Sequence, residues 1–469
     1  MTSALQAAQA IRRGRVSSVE LTRNAFARID RYDSQIHAFV YQMRDEALAR
    51  ARRLDDLLAK GERLGPFHGV PVHVKESFAV AGHPCTWGIP ALKGVPAGQN
   101  SHAVDRLLEA GAVLIGATNV PVGLGDAQSY NPIYGTTNNP WDVTRTPGGS
   151  SGGSAAALAA GLGYLSVGSD MGMSLRGPAH CCGIYAHKPT LDLVSLGGHR
   201  PGGLMNAPGF STLLSVAGPM ARSAEDLLAA LKVLAGPTGW DVKAWRWKMP
   251  APRARALKEF RAGYVLDDAI APVSSEIKPL LEGAIEALGR AGVQLKPGWP
   301  AGYNHGELLS NLRFLLQAFI YSVAPPAQQE AQKATAGPGV APFAEWQRQN
   351  LMRLAFRAQW QAYFQDVDVF LSPVMFAPAF AHDHSQPMDQ RTIATPEGAA
   401  PYWNAFPWVA PATLTGCPAT AAPIGLTAGG LPAAIQIMGP YWEDATPLTF
   451  AALLAHEIGG FQPPAGYGD

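Results

Sequence analysis

Short apolar runs alternate with segments of helical spacing along most of this chain, and that alternation restricts it to a sheet layered with helices. Gly69 to Lys75 (Gly-Val-Pro-Val-His-Val-Lys) reads as a strand, Val104 to Ala110 as a helix and Ala112 to Gly116 as a buried strand. An alanine-dense helix is expected over Ser154 to Ala160, followed by a strand at Tyr164 to Val167. Gly263 to Leu266 and Val293 to Leu295 read as strands. Between them Ile277, Leu280, Leu281, Ala284, Ile285 and Leu288 recur at helical spacing. That is a βαβ unit, expected to be parallel and right-handed. Val367 to Leu371 and Leu431 to Met438 are further strands, and Thr446 to Ile458 is a closing helix.

At the N-terminus, Ser17 and Glu20 form a capping box that opens a helix through about Asp30, and a charged helix covers Arg44 to Ala59. Residues 1–60 are therefore expected to form a helical layer outside the core. Glu307 to Val323 and Glu345 to Gln365 read as two longer helices joined by the Gly/Pro/Ala-rich stretch Ala331 to Val340, so residues 300–365 are expected to form a helical rim or cap. No internal repeat or linker divides the 469 residues, and one domain, 1–469, is assigned.

Composition narrows the partners. The chain is 47% apolar and 16% charged, enough to bury a large core. Its 37 basic and 36 acidic side chains leave a net charge of +1, which gives no electrostatic reason to expect nucleic acid or an anionic membrane. The short basic cluster Arg253 to Arg261 reads as a solvated loop and strand lead-in. Cys85, Cys181, Cys182 and Cys417 contain no Cys-x-x-Cys pair and fit neither a zinc cage nor a disulfide framework, pointing to a reducing cytoplasm. No apolar stretch follows Arg12, Arg13 and Arg15, and Ala155 to Val167 is too short and weakly apolar to cross a bilayer. A soluble, cytoplasmic protein, monomeric or homodimeric, is expected.

Two serine-bearing turns carry the chemistry: Gly148 to Ser154 (Gly-Gly-Ser-Ser-Gly-Gly-Ser) and Ser169 to Arg176 (Ser-Asp-Met-Gly-Met-Ser-Leu-Arg). Ser174 sits in a turn after a short strand, where backbone N–H groups point outward and can hold a negative oxygen. Lys75 ends an apolar strand, and burial beside Val70, Val72 and Val74 would favour its neutral, basic form. The glycines around Ser150 allow backbone angles closed to other residues. Together these pieces supply a nucleophile, a proton relay and a base for breaking an amide without metal or histidine.

The run Asn139-Pro140-Trp141 through Arg145-Thr146-Pro147-Gly148-Gly149-Ser150-Ser151-Gly152-Gly153-Ser154-Ala155-Ala156-Ala157 strongly resembles the amidase signature family. The likeness extends to Ile11-Arg12-Arg13-Gly14, Gly69-Val70-Pro71-Val72 before Lys75, Lys188-Pro189-Thr190, and Gly430-Leu431-Pro432 with Gln436. It implies an α/β fold with a central mixed, mostly parallel β-sheet covered on both faces by helices. It also implies a Ser–cisSer–Lys triad in which Ser174 is the nucleophile, Ser150 the bridging serine in a cis peptide bond and Lys75 the base. The 24 positions between Ser150 and Ser174 match the family's separation. By the same resemblance, the backbone N–H groups of Met171, Gly172, Met173 and Ser174 form the oxyanion hole, and no cofactor or metal is required.

The chain departs from the family's Asp-Thr/Ile-Gly-Gly-Ser pattern with Asp170-Met171-Gly172-Met173-Ser174, and it replaces family glycines at Ala186 and Asp192. A bulky side chain at Met173 is expected to restrict the turn and either crowd the oxyanion pocket or line an apolar one. Tyr130, Ile133, Met173 and Leu204 are the candidate substrate-binding residues. They suit an aryl or hydrophobic portion of a small-molecule amide, carbamate (urethane) or ester. Four rival readings remain. Gly148-Gly149-Ser150-Ser151-Gly152 fits the α/β-hydrolase elbow, but Thr144-Arg145-Thr146-Pro147 is no apolar strand. His382-Asp383-His384 resembles the start of a metal site but has too few histidines after it. Finally, the methionines could mark an impaired catalyst, or the chain could be the amidase component of a tRNA-dependent amidotransferase.

Overall fold

The computed structural model describes residues 1–199, 212–324, 329–330 and 340–468. One eleven-stranded sheet organises them. Its strands are β1 (Phe39–Gln42), β2 (Pro71–Lys75), β3 (Val113–Thr118), β4 (Leu165–Asp170), β5 (Tyr185–Lys188) and β6 (Val216–Ala221). The others are β7 (Arg261–Tyr264), β8 (Gln294–Pro297), β9 (Val369–Pro373), β10 (Ala419–Leu426) and β11 (Pro432–Met438). The order across the sheet is β1-β3-β2-β4-β6-β5-β10-β11-β9-β7-β8. Pairing is parallel in two blocks, β3-β2-β4 and β9-β7-β8. It is antiparallel at β1 and through the middle. The expected mixed sheet is present, and its parallel character is confined to those two blocks. Only five residues join β10 to β11, too few for a parallel crossover, so that pair must run antiparallel.

The βαβ unit forms as expected: the helix Lys278–Arg290 links β7 to β8, which pair in parallel with Ala262 opposite Leu295. At the N-terminus, the Ser17 hydroxyl accepts from the Glu20 N–H at 3.0 Å and the Glu20 carboxylate accepts from the Ser17 N–H at 2.7 Å. The capped helix runs Ser18–Ile36, beyond Asp30, and stops where His37 turns left-handed at φ 54°. Ile11, Phe26, Ile29 and Leu54 of these N-terminal helices are buried in the same continuous core as the sheet. Ala4, Ala7, Ala8 and Ile11 in one helix, Leu21, Ala25, Phe26 and Ile29 in the next, and Ala47, Ala51 and Leu54 in the third recur at helical spacing, so each helix turns its apolar stripe inward.

The rim helices are His305–Val323 and Phe343–Tyr363. Leu308, Leu315 and Phe356 form a separate cluster with Ala410, Leu414 and Leu214, and the half-buried Met171 packs against it. Residues 331–339 of the expected rim loop lie outside the described residues. Two members of the supposed solvated basic cluster are paired: Arg253 with Glu443 at 2.7 Å and Arg261 with Asp368 at 2.9 Å. Among the described residues no helix is long and apolar enough to cross a membrane.

Candidate active site

Adjacent parallel strands end side by side, and here those ends carry the chemistry. β2 ends on Lys75 and β4 on Asp170, with Val74 in register with Val167. The Lys75 side chain is fully buried, and its Nζ donates to Ser150 Oγ at 2.7 Å and to Ser169 Oγ at 2.9 Å. Burial disfavours the ammonium and lowers its pKa to about 7, with the Asp170 carboxylate partly opposing the shift. Near neutrality this lysine is therefore substantially uncharged. Its second acceptor, Ser169, escaped the sequence reading, because nothing local to a strand end reveals which hydroxyl a distant lysine will reach.

The Gly-rich turn is held by close backbone packing. The Gly149–Ser150 peptide bond is cis. A Cβ at Gly149 would lie 2.5 Å from both the Asp126 carbonyl oxygen and the Gln128 nitrogen, so no larger residue fits. The Ser129 hydroxyl donates to the Gly148 carbonyl at 3.1 Å and accepts from the Gly152 N–H at 3.0 Å, at the start of the helix Gly152–Ala159. No strand of the sheet includes Thr144 to Pro147, so the α/β-hydrolase elbow lacks its strand.

The second turn is built around a buried ion pair. Asp170 and Arg176 meet at 2.9 Å with neither side chain exposed. Burial pushes the Asp170 carboxyl up, but the Arg176 charge and hydrogen bonds from Arg176 and the Leu175 N–H outweigh it and hold the group below its ordinary value. The carboxylate accepts from the Leu175 N–H at 3.1 Å, just ahead of the helix Arg176–Cys182. Arg176 also donates to the Gly172 carbonyl at 3.0 Å, and the Gly177 N–H donates to the Met173 carbonyl at 2.7 Å. The carbonyls are thus drawn inward. Among the described residues the N–H groups of Met171, Gly172, Met173 and Ser174 donate no hydrogen bond, which suits an oxyanion site. Ser174 is half-buried, and its carbonyl accepts from the Ser151 N–H at 3.2 Å.

The substituted positions fall into place. Met173 neither crowds nor lines an open pocket: it is 1% exposed and packs into the core. Space for it exists because Gly177 has no side chain; a Cβ there would lie 2.1 Å from Met173 Cε. Asp192 takes the left-handed conformation, φ 64°, that suits the glycine expected at its position. Ala186 is an ordinary buried strand residue.

Tyr130 lies in a small hairpin, Tyr130–Asn131 with Gly135–Thr136, and the half-buried Ile133 lies in its turn. The Tyr130 hydroxyl donates to Asp126 at 3.0 Å and accepts from Arg391 at 3.0 Å, and its ring stacks on His384 at 3.6 Å. Arg391 and Tyr402 also converge on Asp126, at 2.7 and 2.5 Å. This network, invisible in the sequence because its members are up to 276 positions apart, backs the loop against which Gly149 is pressed. Phe406 was also missed: its ring edge lies 3.5 Å from where a Gly172 Cβ would be. Leu204 lies outside the described residues. Among the described residues no group of three or more His, Cys, Asp or Glu is placed to hold a metal ion, and His382 with His384 does not make one.

Known proteins resemble the chain over nearly its whole length. The chain is 30% identical to an indoleacetamide hydrolase of Bradyrhizobium diazoefficiens, covering 97% of this chain and 86% of that one. It is 32% identical to a glutamyl-tRNA(Gln) amidotransferase component from Salinispora tropica, covering 99% and 98%. A bacterial aryl acylamidase of the amidase signature family shares the fold with a TM-score of 0.82 at 24% identity, over 99% of this chain and 97% of that one. The family model described as Amidase matches residues 20–321 and 327–448. Nearly the whole chain is thereby accounted for, and it belongs to the amidase signature family of hydrolases.

Proposed function

We propose that the protein is a serine-nucleophile amidohydrolase that cleaves a carboxylic amide through an acyl-enzyme. The observation that carries this reading is the buried Lys75 amine 2.7 Å from Ser150 Oγ, with a pKa of about 7. In its neutral form Lys75 takes the proton of Ser150 as Ser150 takes that of Ser174. The Ser174 oxygen then attacks the substrate carbonyl carbon. The resulting oxyanion accepts hydrogen bonds from the free N–H groups of Met171 to Ser174. Collapse expels the amine, which recovers the proton along the same path. Water then attacks the acyl-enzyme, releasing the acid and restoring Ser174.

Phe406 beside Gly172 and the half-buried Met171 support an aryl or hydrophobic portion next to the scissile bond. Carbamates and esters present the same electrophilic carbonyl with a different leaving group, so the activity extends to them. The substrate is a small molecule and no cofactor takes part. Four unpaired, buried cysteines support a reducing compartment, the cytoplasm. The test is a hydrolysis panel of aliphatic amides, anilides, aryl carbamates and esters on purified protein. Turnover of anilides is expected, and a protein inert towards the whole panel would overturn the reading. Similarity to an amidotransferase component favours a second reading, release of ammonia for a tRNA-dependent amidation with partner chains. Hydrolysis of anilides by the isolated chain would count against it.

A further inference from the structure

In the turn that carries Ser174, the backbone carbonyls of Gly172 and Met173 are tethered by Arg176 and the Gly177 N–H. A further contact is made by the Met173 side chain against the backbone of Gly177. Gly177 lies in the first turn of the helix Arg176–Cys182, where glycine weakens a helix through its backbone entropy. Its φ lies outside the left-handed region, so conformation does not call for glycine. Nor does any neighbouring backbone crowd it: the three atoms nearest a Cβ there are Met173 Cε at 2.1 Å and Met173 Cγ and Sδ at 3.5 Å. The absent side chain makes room for the Met173 methyl, the one atom within 3.0 Å that the added carbon would meet outside the helix's own backbone.

We propose that Met173 and Gly177 form a size-matched positioning pair. The Met173 thioether, seated on the bare backbone of Gly177, pins the turn from its buried side. The N–H groups of residues 171 to 174 thereby stay aimed at the carbonyl that Ser174 attacks. The proposal rests on reading Ser174 as the nucleophile. Met173 is 1% exposed and does not face the substrate, so the pair acts on the chemical step and not on substrate affinity.

The experiment measures kcat, KM and thermal midpoint for Gly177→Ala, Met173→Ala and the double variant on an anilide. Gly177→Ala displaces the Met173 methyl; the thioether is flexible but 1% exposed within the core, so its shift carries to the turn and should lower kcat by about tenfold, with KM little changed. In the double variant the added methyl meets empty space, so kcat should return to the value of Met173→Ala alone, above that of Gly177→Ala. Unchanged kcat in Gly177→Ala, or a double variant as poor as Gly177→Ala, would overturn the proposal. So would coupling seen in the thermal midpoint but not in kcat, which would mark the pair as merely structural. If Gly177→Ala does not fold, a folded double variant with the kcat of Met173→Ala supports the pair and an unfolded one refutes it. Turnover by Ser174→Ala would instead defeat the reading of the nucleophile, whatever the pair does.

Discussion

The Ser151 N–H donates to the Ser174 carbonyl at 3.2 Å, and the Ser151 hydroxyl donates to the Ser169 carbonyl at 3.3 Å. One residue thus ties the Gly-rich turn to both sides of the turn that follows β4. The two turns are joined by the N–H and hydroxyl of Ser151, not by the hydroxyls that the proposed reaction uses. Substitution of those hydroxyls should therefore remove chemistry and leave geometry in place.

Ser174→Ala is expected to abolish turnover. Ser150→Ala and Lys75→Ala should each lower kcat by about 10²–10⁴-fold, the usual contribution of a proton-transfer group. Steady-state kinetics on the best substrate of the panel, with circular dichroism to verify the fold, provide the check. Near-normal rates in any of the three would remove that residue from the path.

The lysine also fixes the pH dependence. Burial lowers its pKa from the ordinary lysine value to about 7, and the neutral amine is the base. kcat/KM should therefore rise with pH through about 7 and level off on the alkaline side. The same shift enters stability. Between about 7 and the unfolded value of about 10.4, the unfolded chain holds one proton more than the folded one, so the contribution of Lys75 to stability grows as pH rises through that window. Lys75→Met should abolish that increment in urea unfolding measured at pH 7 and pH 9.

The chain's sequence exposes some of this architecture and conceals the rest for identifiable reasons. Lys75, Ser150 and the βαβ unit are legible because each depends on local spacing or on a run of characteristic residues. Strands β6 and β10 are not, since Pro219 and Pro423 interrupt them and proline ordinarily argues against a sheet interior. The short β1 shows no clear alternation, as none of its residues is fully buried. Met173 illustrates a different limit. Its bulk is plain in the sequence, but its direction depends on a glycine one helical turn away. The Asp126 cluster depends on Arg391 and Tyr402, so no local pattern could have disclosed it.

The Asp170–Arg176 pair gives a prediction about folding. Arg176→Met removes the cation but leaves a carboxylate with no exposure and no countercharge at 2.9 Å. Breaking a buried pair from one side costs about 3–5 kcal/mol. Chemical denaturation should show a loss of that size, with kcat falling as well because the Gly172 carbonyl loses its Arg176 donor. Unchanged stability would mean that Lys75 or Lys188, whose charges also act on Asp170, takes over as its countercharge.

Gly149 tests whether the loop at Asp126 braces the proposed relay. In Gly149→Ala the added methyl would lie 2.5 Å from two backbone atoms, the Asp126 oxygen and the Gln128 nitrogen. That loop cannot easily retreat, because the Asp126 carboxylate is held by Arg391, Tyr130 and Tyr402. Overpacking of this kind costs about 1–3 kcal/mol. The strain should shift Ser150 relative to Lys75, so kcat should fall more than tenfold, to roughly the extent that misplacing a reacting group produces. Gly152→Ala is the comparison, since its nearest neighbour at 2.5 Å is the Ser129 hydroxyl, a side-chain atom that can rotate at the expense of its hydrogen bonds to Gly148 and Gly152, whereas the Asp126 and Gln128 backbone cannot. Its loss of activity and thermal stability should be smaller. Equal losses at the two positions would mean that the Asp126 loop yields as readily as a single hydroxyl and braces nothing.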